Sequence, residues 1–461
     1  MSKRITVACM ALLLLLAALL LPGGRPAPRS IEHQHRTWPG ESAQTTGLAA
    51  DGTLTSHLPL LILHTDGRPI PGQDRTDERQ LLCTYSLICN PSGVNCSADS
   101  PALTGQLAVT VRGNSSRDFP KKQYLLRLRD EAGLPRKQSL LGMPAGSSWV
   151  LNGSFLDHST IRNYLCYNLS AEIMAGYNPQ NRFCEVLTTD AAGNTRYEGL
   201  YNLIEKVKVA PERLDLHPSD PRYAQTSFLM QLNAYPDHTR LNHLKPDGMP
   251  AYPIDLEYPN EPDATAEQLR YVEQQVLYFE KALYDASFTG NWEKVEELTD
   301  LDSFVDYYLI NEFLQNYDAG NRSTYLYQDL GRKMAIGPVW DFDGAFNNYA
   351  GISLEIDELR LHDSLLYAFL MQDPQFGLRC TARYRELRQS FLSEQYLLSY
   401  IEDTAAYLGQ APLRNCDRWY GGEHDLYYQD LAAMKQFVVE RGAWMDKHFG
   451  NIHLISTAKG Q

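Results

Sequence analysis

Apolar residues fill positions 5–21, interrupted only by Thr6, and then thin out until residue 59. There LPLLILHTDG (59–68) gives a short apolar stretch closed by a turn signal, which predicts a strand. LAVTVRG (107–113) and QYLLRLR (123–129) predict two more, the second alternating apolar with basic residues, and SWVLNG (148–153) a fourth. In DHSTIRNYLCYNLSAEIM (157–174) capping residues precede Ile161, Leu165 and Leu169 at helical spacing, so a helix is expected. Strands return at 197–209 (YEGLYNLIEKVKV) and 226–232 (TSFLMQL), and then the period changes. Residues 266–286 and 302–316 have helical spacing. STYLYQD and KMAIGPVWD read as a hairpin turned at Leu330, Gly331 and Arg332, and the pattern from there to His448 is mostly helical. No internal repeat occurs. The expectation is an α+β chain with a β-rich N-terminal lobe, a mainly helical C-terminal lobe and a cleft between them.

The first apolar run follows Lys3 and Arg4, the layout of an export signal over residues 1–24. Its 17 residues fall slightly short of the roughly 20 a spanning helix needs, and the cleavage site is poor, so an uncleaved N-terminal membrane anchor is the alternative. Residues 25–56, rich in Pro, Gly, Ser, Thr and His without periodicity, read as a linker to a domain at 57–455. Either way the working part is expected outside the cytoplasm, secreted or N-terminally anchored. Apart from Cys9 in the leader there are seven cysteines: Cys83, Cys89, Cys96, Cys166, Cys184, Cys380 and Cys416. In an oxidising compartment this suggests three disulfides and one residue left over. The first three fall in a stretch read as an inserted loop, and zinc binding by them lacks a suitably spaced His.

With 42 basic against 56 acidic side chains, the net charge is −14, which opposes binding to a nucleic-acid backbone. An acidic surface favours a basic partner, or serves only solubility.

Two acidic clusters stand out, NYDAGNRSTYLY (316–327) after a helix and VWDFDGAFNN (339–348) after a strand. The hairpin between them brings Asp318 and Asp341 to one end, with Asn321 beside it. Such a group suits phosphoryl transfer. A carboxylate and a neutral oxygen (Asp341 and Asn321, with Asp343 nearby) can hold a divalent ion, while a separate carboxylate, Asp318, orients and deprotonates a hydroxyl. The plainer alternative is that Asp318 and Asn321 cap turns and the other acids are solvated. Upstream, the turn in TVRGNSSRDFPKKQYLLRL can grip phosphates through Arg112, Asn114, Ser115 and Lys121 or Lys122, or can simply be a hairpin turn with surface lysines. Glu205, an acid in an apolar strand, is expected to be exposed or to pair with a cation such as Lys122. Arg162 and Asn163 reach the cleft or serve the helix start. No G-x-S-x-G elbow, H-E-x-x-H or catalytic Cys signature occurs.

Taken in order, LPLLILHTDG, RGNSSRDFPKKQYLLRL, WVLNGSFLDHSTIRNYL, YEGLYNLIEKVKV, NYDAGNRSTYLY and PVWDFDGAF resemble the spore coat protein H kinases, CotH, over about residues 57–450. The resemblance implies an atypical protein-kinase-like, two-lobed fold that transfers the ATP γ-phosphate to Ser or Thr of secreted, cell-surface or coat proteins with Mg²⁺ or Mn²⁺. Asp318 matches the family's catalytic aspartate and Asp341 its metal-binding aspartate. Asn321 departs from the usual spacing, while the lysine pair and Glu205 match positions typical of its ATP site. The implied partners are ATP and a coat or secreted protein, a basic, Ser-rich acceptor being one option. Tyr317, Ala319 and Gly320 replace the family's more usual residues, which leaves room for an inactive coat or envelope scaffold, or for a transferase using another nucleotide donor.

Overall fold

The computed structural model describes residues 31–38, 46–233, 239–244, 253–260, 263–349 and 355–451. The expected leader at 1–24 lies outside them. Among the described residues no helix is long and apolar enough to cross a membrane.

The N-terminal half is built on period-two alternation. Short strands Gly47–Leu48 (β1), Leu54–Ser56 (β2) and Asn95–Cys96 (β5) make a small sheet. Seven longer ones close a barrel: Leu60–His64 (β3), Leu81–Ile88 (β4), Leu103–Arg112 (β6), Gln123–Arg129 (β7), Ser148–Asn152 (β8), Asn181–Thr189 (β9) and Thr195–Glu205 (β10). Their order is β10-β8-β7-β6-β4-β3-β9. The neighbours are antiparallel except β3 and β9, which pair in parallel. Alternate residues, among them Leu63, Tyr85, Val109, Leu126, Leu128, Trp149, Leu151 and Leu203, fill the interior.

Closure by β3 on β9 was not expected, nor was β4. The segment read as an inserted loop begins inside a barrel strand. Cys83, Tyr85 and Leu87 point inward while Leu82 and Thr84 are exposed. The expected disulfides are likewise not seen: none joins the seven described cysteines. Cys166, Cys184, Cys380 and Cys416 are buried, filling space as small hydrophobes on separate elements.

Part of the segment read as a linker packs on the domain. His33 and His35 are buried, His33 against the Tyr400 hydroxyl at 2.9 Å and His35 against that of Tyr164 at 3.0 Å.

A helix, Arg162–Ile173 (α1), follows the first five barrel strands. All its residues but Glu172 are buried, which places it centrally rather than on the surface. Beyond the barrel, Phe228–Leu232 (β11), Thr239–Arg240 (β12), Ile254–Tyr258 (β13), Thr324–Gln328 (β14) and Ala335–Ile336 (β15) form a second sheet ordered β12-β13-β11-β14-β15. The hairpin β14–β15 turns where expected. Its second strand is short, so residues 337–341 leave the sheet and are free to bend.

The helices that follow are Ala266–Thr289 (α2), Glu293–Leu298 (α3), Leu301–Phe313 (α4), Leu365–Leu370 (α5), Pro374–Arg388 (α6), Glu394–Leu408 (α7), Ala411–Trp419 (α8) and Asp425–His448 (α9), with α4 packed on β15 and α8 on β10 of the barrel. A Thr265–Gln268 capping box starts α2, and Gly290, with φ of 70°, ends it. One hydrophobic core runs from the barrel's outer face (Leu125, Val150, Ile204) through α1 and the second sheet to the C-terminal helices. The fold is thus α+β, β-rich at the N-terminal end and helical at the C-terminal end.

Candidate functional site

Helix α4 delivers the first acidic cluster. After its last turn Gln315 takes φ of 45°, and the Asn316 side chain donates to Asn311 Oδ1 at 3.0 Å, reversing the chain. The Asp318 carbonyl then accepts from the N–H groups of Asn321 (3.2 Å) and Arg322 (2.8 Å), while Gly320 N–H donates to Thr324 Oγ1 (2.8 Å). Thr324 is itself bonded to the Tyr307 hydroxyl of α4 at 2.9 Å, so helix, turn and β14 are fastened together.

The second cluster is held from below by α1. Asn163 and Tyr167 are four residues apart and so share a helix face. The Tyr167 hydroxyl accepts from Asp341 N–H at 3.1 Å, and Asn163 Oδ1 from Phe342 N–H at 2.9 Å. Arg162 Nε donates to Ala345 O at 2.9 Å, and its guanidinium grips Asp157 (2.5 Å) and Asp430 (2.6 Å). Arg162 therefore serves the scaffold, whereas Asn163 reaches the site. Asp341 has φ of 64°, a strained value for a residue with a Cβ. That strain is held by the two bonds from α1.

Asp318 and Asp341 are brought together, as the hairpin geometry requires. Burial, then the Asp341 charge, pushes the Asp318 carboxyl up to about 6, against the opposing pull of Arg322 and Arg360. Asp341 is also raised by burial, with Arg112 and a hydrogen bond from Ser323 working the other way. Asp343 lies deeper in a polar nest. Its Oδ1 accepts from Asn163 Nδ2, from Ser154 Oγ at 3.2 Å and from Asn152 Nδ2 at 3.5 Å. Burial raises its carboxyl too, with Asp341 and Asp157 adding to the effect.

Among the described residues no three or more His, Cys, Asp or Glu side chains converge as a metal site. Asp318 Oδ1 and Asn321 Oδ1 are, however, buried with no hydrogen-bond partner. Buried acceptors left unpaired cost free energy, and a cation would satisfy them. One or two carboxylates and an amide oxygen match the partial protein shell of an ion that also binds phosphates.

The upstream residues are placed differently from one another. Lys121 is fully buried. Its Nζ donates to Leu200 O (2.5 Å) and Asn415 Oδ1 (2.8 Å) and sits 4.6 Å over the Tyr201 ring. Desolvation lowers it to about 7, with Asp157 and Asp343 opposing. Lys122 donates to Arg117 O at 2.7 Å on the surface side. Glu205 does not meet Lys122. It faces Arg213 at 3.7 Å and accepts from Gln180 N–H at 3.0 Å. Asn114 and Ser115 are exposed in a 3₁₀ turn, Asn114 Oδ1 accepting from Arg75. Arg112 faces Asp341, donating to Gln123 Oε1 at 3.1 Å with its guanidinium 5.7 Å from the Trp340 ring centre.

Several neighbours were not foreseen. Tyr317 stacks on Tyr349 with ring centres 4.0 Å apart, and the Arg360 guanidinium lies 4.3 Å from the Tyr317 ring centre. Arg322 Nη1 is 3.7 Å from Asp318 Oδ1. The recurrence of Asn163 and Tyr167 at i, i+4 on a helix was visible in the sequence, but their target, some 180 residues away, was not.

The family described as CotH kinase protein matches residues 109–445, nearly three quarters of the chain. No curated protein matches it.

Proposed function

The chain belongs to the CotH kinase protein family, and we propose that it is an exported kinase that transfers the terminal phosphate of ATP to Ser or Thr side chains of a secreted, cell-surface or coat protein. The observation that carries this is the meeting of Asp318 and Asp341 at the base of the β14–β15 hairpin, with buried oxygens on Asp318 and Asn321 that lack a hydrogen-bond partner. Asp318 accepts the proton of the acceptor hydroxyl. The hydroxyl oxygen bonds the terminal phosphorus as that phosphorus parts from its bridging oxygen, and ADP leaves. A carboxyl raised to about 6 is a stronger base than an ordinary aspartate and is still mostly ionised at neutral pH. Asp341 and Asn321, with Asp343 behind them, are the residues that would hold Mg²⁺ or Mn²⁺, which when bound neutralises phosphate charge.

Lys121 is the buried member of the lysine pair and lies within electrostatic reach of Asp343, which favours it over Lys122 as the ATP-contacting lysine. Export is supported by Lys3 and Arg4 before the apolar run at 5–21.

The test is Asp318→Asn, which keeps the shape and removes the base. With γ-labelled ATP and a Ser-rich basic peptide, transfer should fall by about 10²–10⁴-fold while ATP binding by calorimetry persists. Undiminished transfer refutes the assignment. ATP binding without transfer by the wild type indicates a scaffold, and preference for a nucleotide sugar indicates a different transferase.

A further inference from the structure

The outer face of the barrel beside the acidic pair carries a group of cations, one of which, Arg127, has a buried nitrogen without a hydrogen-bond partner. In β6 and β7 the interior is filled by Leu107, Val109, Val111, Leu126 and Leu128, so alternation turns Arg112, Gln123, Leu125 and Arg127 outward. Arg127 stands opposite Ser148 of β8. Glu205 stands opposite Trp149, so the next residue, Lys206, falls in the same row as Ser148 and Arg127. This face turns toward the rest of the molecule, since Leu125, Val150 and Ile204 on it join the main core. Arg127 Nη1 is buried with no hydrogen-bond partner. Lys206 feels the positive charges of Arg127, Arg112 and Lys208, with Glu257 of β13 as the facing acid, and Arg112 in turn faces Asp341. A line of cations thus leads away from the acidic pair.

Glu257 faces Lys206 and Asp341 faces Arg112, but three cations to two acids and an orphaned guanidinium nitrogen on Arg127 leave this half-buried surface short of one anion. We propose that Arg127 and Lys206, with Arg112, form a binding site for a phosphate-bearing anion on the barrel's outer face next to Asp341. The inference rests on the kinase reading, in which that anion is the nucleotide's polyphosphate or a phosphoserine of the acceptor. It moves the phosphate grip from the Gly113–Ser116 turn, whose Asn114 and Ser115 are exposed, to the strands behind it. Arginine supplies paired donors for phosphate oxygens, and lysine a compact charge.

The experiment titrates the full chain with inorganic tripolyphosphate, ATP and a phosphoserine peptide by calorimetry at low and high salt, without divalent metal, comparing wild type, Arg127→Met, Lys206→Met and Asp318→Asn. Binding of tripolyphosphate and ATP that weakens with salt, and about tenfold with each cation variant, supports the site and assigns it to the donor. The same losses confined to the phosphoserine peptide support the site and assign it to the acceptor. Arg127→Met should also melt no lower than wild type when ligand-free, because it removes a half-buried guanidinium with an unpaired nitrogen. A clear fall would mean that Arg127 is structural. If Arg127→Met does not fold, Arg127→Lys and Lys206→Gln carry the binding test. No anion binding by the wild type, or binding unchanged in folded cation variants, overturns the proposal. Asp318→Asn separates the two readings. If anion binding depends on Arg127 and Lys206 but no phosphate is ever transferred, the site stands and the kinase reaction does not. Transfer with unaltered anion binding in the cation variants gives the reverse.

Discussion

Replacing Glu312 by Gln should cost about 3–5 kcal/mol of stability, although the two side chains have nearly the same shape. Glu312 lies in the last turn of α4, six residues before Asp318, and is fully buried against the fully buried Arg441 of α9, at 2.7 Å. Its carboxylate also accepts from the N–H groups of Arg360 (2.8 Å) and Leu361 (2.7 Å). Arg441 in turn donates to the carbonyls of Ile356 (2.5 Å), Glu358 (2.7 Å) and Glu312 itself (3.0 Å). The pair therefore fastens residues 356–361, which carry Arg360, to the helix that delivers the candidate base. Glutamine leaves the guanidinium buried without a counter-charge and points an N–H₂ at groups that are themselves donors. Arg441→Met leaves the opposite charge stranded and should cost about as much.

The double variant strands neither charge. It keeps one Gln oxygen for the two backbone N–H groups and loses the donors to three carbonyls, at about 1 kcal/mol each. It should therefore cost about 3–4 kcal/mol rather than the sum of the singles, a coupling of at least about 2 kcal/mol. Urea unfolding followed by tryptophan fluorescence gives the cycle, and hydrogen exchange at 356–361 reports the local loosening. Singles that cost under about 1 kcal/mol, or that simply add, would refute the view that this pair is a tightly coupled anchor.

Two further outcomes are expected. Gly199 has φ of 116° at a bulge in β10, and an added Cβ would lie 2.7 Å from Asn415 Oδ1 and 2.8 Å from Trp419 Nε1. Gly199→Ala should cost about 2–4 kcal/mol and, by displacing Asn415, loosen the clamp on Lys121; an unchanged thermal melt would contradict this. Burial lowers His35 from the usual 6.5 to about 4, so the folded protein binds the proton less readily than the unfolded chain. Its docking is therefore at full strength above about pH 6.5 and weakens as pH falls toward 4, by about 1–2 kcal/mol at pH 5 after solvent screening. Hydrogen exchange at residues 31–38 at pH 7 and 5, corrected for intrinsic rates, should show it, and equal protection would count against it.

The strands at 123–129 and 148–152, and helix α1, were legible because each buries one face or lies wholly in the core, and their patterns are local. Strand β9 was not, since Arg182 and Glu185 interrupt its apolar run. Both are buried, Glu185 taking the Arg414 guanidinium at 2.7 Å from a helix more than 200 residues on. A partner at that distance leaves no trace in the local pattern. The same applies to β4, whose alternation was present but was obscured by three nearby cysteines read as a disulfide loop.

The site divides along the same line. Asp318 and Asp341 could be placed together because a hairpin of known register joins them, so a short-range rule sufficed. The expected pairing of Glu205 with Lys122 had no such link, and in the structure each found a nearer partner, Arg213 and the Arg117 carbonyl. Arg112 was read as part of a phosphate-gripping turn, whereas Arg127 and Lys206 were not singled out. Their grouping emerges only once the barrel closes and its outer face is turned toward the core, where water screens them less. In this chain, sequence reading located the acids, whose neighbours are close in sequence, better than the cations, whose environment is set by sheet closure.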